Sequence, residues 1–387
     1  MPVRYQIDRF SVSNFRSIRD CDVRLVPLTV IVGPNSSGKS NFVRSISFLA
    51  IALKDPLDKV IAGQHGVYAL FCHPVTFPSV MRFAVEISST SGIRSSFALE
   101  IEATDATRFV VKREECRVSD ENGEGHYYLV ENGKASGSSP VFPAVSMDRI
   151  FLTNASGLPE FRAVYDFLSG ISVTQPATTD IYDASDRLNA MTRALGGRVQ
   201  PTGFLHRFKH LREKHPEAFD VVQDYLRAIS PSFQRITLRG EADKQSLHFY
   251  EKSGAGGSAG FSQSHMSAGF LHSAEMLLSL FTPNDDDSPL SPVILEEPEA
   301  LLHPGAINAL RDSFIEASKL RQIIMTSHSP EFLDDPELSP DSIRSVSRDD
   351  AGTHIVPLDE ATKSVLTETL STAGELLRSG ALTSQAQ

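Results

Sequence analysis

The sequence predicts an α/β fold built on a parallel sheet, and three observations predict it. Residues Gly33-Pro34-Asn35-Ser36-Ser37-Gly38-Lys39-Ser40 satisfy the pattern G-x-x-x-x-G-K-[ST] in full. The flanks suit it: Leu28-Thr29-Val30-Ile31-Val32 is a short apolar run rich in β-branched residues, as a buried strand requires, and Asn41 to Leu53 is apolar nearly all round, as a buried helix requires. In the second half, the apolar runs before Glu296 and before Thr326 are separated by a helix-patterned stretch, Ala306 to Lys319, with Ile307, Leu310 and Phe314 on one stripe.

Each part of the first segment has a physical task. The glycines let backbone N–H groups curl around a phosphate chain, Lys39 supplies a point charge, and Ser40 offers a hydroxyl to Mg²⁺. The helix that follows aims its positive N-terminal end at the same place. Ahead of the segment, Arg9 to Val26 reads as strands around Asn14-Phe15-Arg16-Ser17-Ile18. After it, residues 79 to 115 alternate in strand fashion through Met81, Phe83, Val85 and Ile87, then Phe97, Leu99 and Ile101. These predict an N-terminal antiparallel β lobe.

Turn-rich stretches follow at 120–125 and 131–139. Residues 155 to 230 read as mainly helical, most clearly Pro216 to Ile229, where Phe219, Val222, Leu226 and Ile229 share a face and Pro231 ends the helix. Ser253 to Gly260 reads as a flexible loop. The expected organisation is one domain over 1–387. It comprises a lobe with the phosphate loop at 1–118, an inserted and mainly helical region at 119–262, a third segment at 263–347, and a C-terminal hairpin and helix at 348–387.

Composition bounds the partners. The 387 residues are 41% hydrophobic and carry a net charge of −11, more acidic than a protein that lies along duplex DNA over a broad face. Cys21, Cys72 and Cys116 are an odd set outside metal-ligand spacing, which suits reduced thiols in a cytoplasmic protein. No 18-residue apolar run, signal-peptide stretch or 20–50-residue repeat is present.

Three further motifs carry chemistry. Val293-Ile294-Leu295 runs into Glu296-Glu297 before Pro298 stops the strand. Adjacent strand residues point to opposite faces, so one carboxylate can hold a Mg²⁺-bound water while the next orients an attacking water. Ile323 to Ser329 ends another apolar strand at His328, and strand–helix–strand spacing places Glu297 and His328 at the same end of a parallel sheet, where ligands collect. Ser267-Ala268-Gly269 opens a helix running to about Phe281, which is either a plain cap or an anion-binding tip.

In this order the four motifs resemble an ABC-type ATPase head, a P-loop NTPase fold. Asn14-Phe15-Arg16-Ser17-Ile18, Glu296-Glu297-Pro298-Glu299-Ala300-Leu301-Leu302-His303-Pro304 and Thr326-Ser327-His328-Ser329-Pro330 are similar to the RecF/OLD/SMC-like branch, as are Ile229 to Phe233 and the tail Gly374 to Gly380. The resemblance implies ATP held by Gly33, Pro34, Asn35, Ser36, Ser37, Gly38, Lys39, Ser40 and Asn41. It implies Mg²⁺ at Ser40 and Glu296, and catalysis by Lys39, Glu297 and His328. It further implies that Ser267 and Gly269 complete the site of a second copy, in a homodimer closed around two ATP molecules. His303 falls near the family's D-loop position. The chain departs from the family in having Glu at 296 where Asp is usual, and in lacking the signature's second Gly and following Gln. No Q-loop glutamine is assigned.

The expected function is an ATP-hydrolysing switch that controls a partner effector, a nuclease among the candidates, in anti-phage defence or DNA repair. The alternative is a RecF-like DNA-binding ATPase, for which Arg207, Lys209, Arg212 and Lys214 form a basic stretch; a solvated helix face is the simpler reading. An intrinsic nuclease is not expected. The chain after His328 is short for another domain, and Arg348-Asp349-Asp350-Ala351-Gly352 reads as a hairpin turn rather than a metal pair.

Overall fold

The structure, a computed structural model, describes residues 3–119, 124–146, 148–174, 204–240, 246–254, 256–283, 289–335, 337–350, 352–368 and 370–382. It divides into two compact units. One is Met1–Val173 with Asn284–Ile294 and Ser318–Gln387; the other is Thr174–Pro283 with Leu295–Ala317.

In chain order the strands begin with β1 (Tyr5–Phe15), β2 (Ile18–Arg24), β3 (Leu28–Val32), β4 (Ser79–Ser89), β5 (Arg94–Ala103), β6 (Phe109–Ser119), β7 (Gly125–Glu131), β8 (Lys134–Gly137) and β9 (Ser172–Thr174). There follow β10 (Phe233–Arg239), β11 (Ser246–Lys252), β12 (Ser258–Ser262), β13 (Val293–Glu296), β14 (Ile323–Ser327), β15 (Ile343–Asp349) and β16 (Gly352–Pro357).

The first unit contains the antiparallel sheet β2-β1-β4-β5-β6-β7-β8. Its alternation is realised as expected: Met81, Phe83, Val85 and Ile87 of β4 are buried and the residues between them exposed. A second sheet has the order β16-β15-β3-β14-β13-β9. β14 and β15 both run parallel to β3, and β15 pairs antiparallel with β16. All five residues of β3 and all five of β14 are buried, Thr29, Thr326 and Ser327 included, which is why both read as mostly apolar runs without polar alternation.

The helix Lys39–Ala52 fills the core of this unit. Phe42 meets Phe10 edge-on with centroids 5.6 Å apart, and Phe48 stacks on Phe83 at 5.5 Å. The buried Gln322 side chain, just before β14, exchanges two 2.8 Å hydrogen bonds with the backbone N–H and C=O of Ile7, fixing β1 against the second sheet.

The second unit contains helices Phe204–Lys214, Pro216–Ile229, Ala268–Phe281 and Pro304–Ser318, with the sheet β10-β11-β12. The helix at 216–229 has the predicted bounds and buries Phe219, Val222 and Leu226, while Ile229 is half-buried. Phe270 at the start of Ala268–Phe281 packs on Phe233 of β10 and Phe249 of β11.

The expected outline is refined in three places. Among the described residues of 119–262, β7, β8, β9, β10, β11 and β12 stand beside the helices, so the described part mixes strands with helices. The 131–139 stretch is a hairpin whose turn residues, Asn132 at φ 51° and Gly133 at φ 73°, take the left-handed conformation such a two-residue turn needs. In the supposed loop 253–260, Ser258 to Gly260 begin β12, held by its ladder to β11 with Lys252 opposite Ser258. Small residues there leave no apolar alternation to read.

The basic stretch is also not a uniform face. Burial lowers the Arg207 pKa, and its guanidinium donates to Ser279 Oγ at 2.7 Å, whereas Arg212 and Lys214 are exposed.

Candidate functional site

The segment Gly33–Ser40 leaves β3 and feeds directly into the helix Lys39–Ala52, which has no acidic residue in its first turn. Pro34, Asn35 and Ser36 form its exposed crest, with Ser36 in the left-handed region at φ 63°. Gly38 has φ 113°, a conformation that disfavours any side chain. Gly33 is needed for space, because a Cβ there would lie 2.5 Å from the carbonyl oxygen of Val346. The buried Lys39 donates from Nζ to the carbonyls of Gly33 and Pro34 at 2.8 and 2.9 Å, so its charge is held at the mouth of the loop. Ser37 Oγ is buried without a hydrogen-bond partner. A curled glycine loop, a cation at its mouth, an unpartnered hydroxyl and a helix N-terminus free of acidic side chains together fit a polyphosphate.

His328 belongs to the same unit. β14 runs parallel to β3 with Ser327 opposite Val32, so the chain leaves both strands at the same sheet edge, through His328 and Gly33 respectively. His328 is exposed. The turn after it is held locally: Ser329 N donates to Ser327 Oγ at 3.1 Å, and Ser329 Oγ accepts from Phe332 N to cap Pro330–Leu333.

The acidic pair and the signature tip are in the second unit. Glu296 closes β13 and is buried. Glu297 is half-buried and takes φ 45°, an uncommon conformation for a residue with a side chain. Its carbonyl accepts from Ala300 N at 2.9 Å, starting the turn that leads through Leu301 to His303. Ser267 caps the helix Ala268–Phe281 by accepting from Phe270 N at 3.3 Å. Gly269 packs against the carbonyl of Leu301. A cavity of about 370 Å³ opens there, lined among others by Ser267, Gly269, Leu301, Leu302 and His303.

The fold therefore brings the phosphate loop to His328 in one unit, and the turn after Glu297 to the Ser267–Gly269 tip in the other. Sequence reading missed Leu301, whose backbone shapes the tip, and Thr353, which backs the loop; both are ordinary residue types carrying no local signal. The tempting acidic pair is a hairpin turn, as expected: Asp349 lies opposite Gly352, and its Oδ1 is engaged by Gly352 N at 3.1 Å and His354 Nε2 at 3.0 Å. No helix among the described residues is long and apolar enough to cross a membrane.

Comparison with known proteins bears on the fold and the family. Over 43 residues the chain is 46% identical to the OLD nuclease of Thermus scotoductus (strain ATCC 700910 / SA-01), a match spanning 11% of this chain and 8% of that protein. The fold is similar to an SMC head bound to the C-winged helix domain of ScpA, with TM-score 0.50 and 15% identity over 92% of this chain and 99% of that one. It is also similar to a Pyrococcus furiosus-derived Smc head with an extended coiled coil bound to the C-terminal domain of ScpA, with TM-score 0.51 and 15% identity over 95% of this chain and 100% of that one. Residues 28–334 match the family described as "AAA domain, putative AbiEii toxin, Type IV TA system". The chain belongs to this AAA-domain family, on the P-loop ATPase fold of SMC heads.

Proposed function

We propose that this protein binds and hydrolyses ATP with Mg²⁺, and that two copies close around two nucleotides to form a switch controlling a partner effector. The observation that carries the reading is the intact phosphate loop, with Lys39 buried at its mouth and His328 at the same sheet edge. ATP with Mg²⁺ supplies the phosphoanhydride bond and the Lewis acid. The chain's own residues then divide the work. Loop N–H groups from Ser36 to Asn41 and the Lys39 ammonium bind phosphate oxygens. Ser40 and Glu296 are the residues that would hold the metal. With the nucleotide bound, Glu297 would orient the attacking water and His328 would contact the terminal phosphate. Ser267 and Gly269 present the N-terminus of Ala268–Phe281 to the nucleotide of the second copy.

A switch needs an element whose two states the nucleotide favours unequally. Dimer closure is that element in this reading, and the match to an OLD nuclease makes a nuclease the first effector class to test. Purified protein with Mg²⁺ should release phosphate from ATP. Lys39→Ala should lose nucleotide binding, whereas Glu297→Gln should keep binding, stop turnover and accumulate an ATP-dependent dimer in light scattering. Undiminished turnover in both variants would refute the assignment.

A further inference from the structure

The hairpin of β15 and β16 backs the phosphate loop. At Gly38, a Cβ would come within 2.2 Å of Thr353 Oγ1, so residue 38 and Thr353 occupy complementary space. Thr353 is 1% exposed, and its Oγ1 donates to the Ser37 carbonyl at 3.1 Å. The same oxygen lies 2.9 Å from Ser17 Oγ, which accepts from Asn41 Nδ2 at 2.7 Å.

These contacts admit one consistent set of protons. The Asn41 amide donates to Ser17, the Ser17 hydroxyl to Thr353, and the Thr353 hydroxyl to the carbonyl of Ser37. The chain of donors starts in the first turn of Lys39–Ala52 and ends on the loop, so it closes a ring over residues 37 to 41 through two distant segments. In a trans peptide the C=O of one residue and the N–H of the next point in opposite directions. Anchoring the Ser37 carbonyl on Thr353 therefore turns the Gly38 N–H away from the hairpin, toward the side on which the loop would hold phosphate.

We infer that Thr353 is a positioning residue for nucleotide binding, holding the Ser37–Gly38 peptide in its phosphate-facing orientation through the hydroxyl chain from Asn41 and Ser17. The inference rests on the nucleotide reading of the loop. Thr353→Val keeps the shape and removes the hydroxyl, leaving the Ser17 hydroxyl proton without its acceptor and the Ser37 carbonyl without the Thr353 donor; Thr353→Ser keeps the hydroxyl.

The test is titration of the full chain with a fluorescent ATP analogue, together with hydrogen exchange of amides 36–41 without nucleotide. Thr353→Val should bind about tenfold more weakly and exchange faster in the loop, with Thr353→Ser within about twofold of the parent. A folded Thr353→Val that binds and exchanges like the parent, or a Thr353→Ser as impaired as the valine, overturns the inference. If the parent itself binds no nucleotide, the nucleotide reading fails, and with it Thr353's role in binding.

Discussion

The α-carbon of Gly269 faces the carbonyl oxygen of Leu301 so closely that a methyl group on Gly269 would stand 2.2 Å from it. Leu301 already has φ 69°, in a turn that begins with Glu297 at φ 45°, and Pro304 opens a helix soon after. The turn therefore has little freedom to retreat. Gly269→Ala should cost about 1–3 kcal/mol in stability, as overpacking does. It should also lower ATP turnover at least tenfold while leaving affinity for a single nucleotide near the parent value. Thermal melting, nucleotide titration and phosphate release on one preparation separate these effects. Unchanged turnover would mean that the turn and the tip move independently.

What the sequence disclosed follows from where the information sits. The phosphate loop is contiguous, so Gly33 to Ser40 could be read residue by residue. β3 and β14 were legible because burial on both faces makes them mostly apolar, with no exposed residue and no alternation of polar positions. β12 was not, because it begins with the small residues Ser258, Ala259 and Gly260, buries none of its residues and is held by backbone ladder bonds. Arg207 was misread with its exposed neighbours, although its spacing from Phe204 and Leu211 puts it on the buried stripe of Phe204–Lys214. Thr353 meets the loop across more than three hundred residues, a pairing that only the fold creates.

His272, on the helix Ala268–Phe281, is 1% exposed, and neither of its ring nitrogens has a hydrogen-bond partner. Burial pushes its pKa down from 6.5 to about 4. As pH falls from 6.5 toward 4 the unfolded chain takes up a proton that the folded one refuses, so this residue makes stability fall with pH in that window. His272→Leu should flatten that dependence and raise stability at pH 7 by about 1 kcal/mol, because it removes unsatisfied buried nitrogens. Urea unfolding of both proteins at pH 7 and pH 5 reads the two effects. A variant less stable at pH 7 would show that the imidazole is bonded after all.

Glu114 on β6 titrates in the opposite sense. It is fully buried, which pushes its pKa from 4.5 up to about 7, even though Tyr128 Oη, Phe151 N and Leu152 N all donate to it. Between those pH values the folded state holds a proton that the unfolded state has released, so stability falls as pH rises through the window. Glu114→Gln should remove that fall. It should also cost about 1–3 kcal/mol, because three donors converge on the carboxylate and one would then meet an amide N–H. Since His272 opposes Glu114 between pH 4.5 and 6.5, the parent profile alone cannot separate them. Unfolding of each variant from pH 4 to pH 8 does, and a Glu114→Gln profile parallel to the parent would rule out Glu114 as the source.

The tail helix Ala373–Arg378 is held against the short helix Pro330–Leu333, which follows His328, by two different kinds of contact. Arg378 pairs with Glu331 at 3.3 Å and Asp334 at 2.8 Å, but its side chain is exposed to water, where ion pairs contribute little. Gly374 is buried, and a Cβ on it would lie 2.2 Å from Asp334 Oδ1 and 2.3 Å from the carbonyl of Pro330. Backbone cannot move aside as an exposed side chain can, so close packing outweighs charge here. Arg378→Ala should leave the melting temperature and ATP turnover near parent values. Gly374→Ala should lower stability by about 1–3 kcal/mol and reduce turnover, because displacing Pro330 disturbs the cap that Ser329 provides beside His328. Melting curves and phosphate release from the two variants decide it. The opposite ranking, with the arginine variant the more damaged, would mean that charge rather than packing seats the tail.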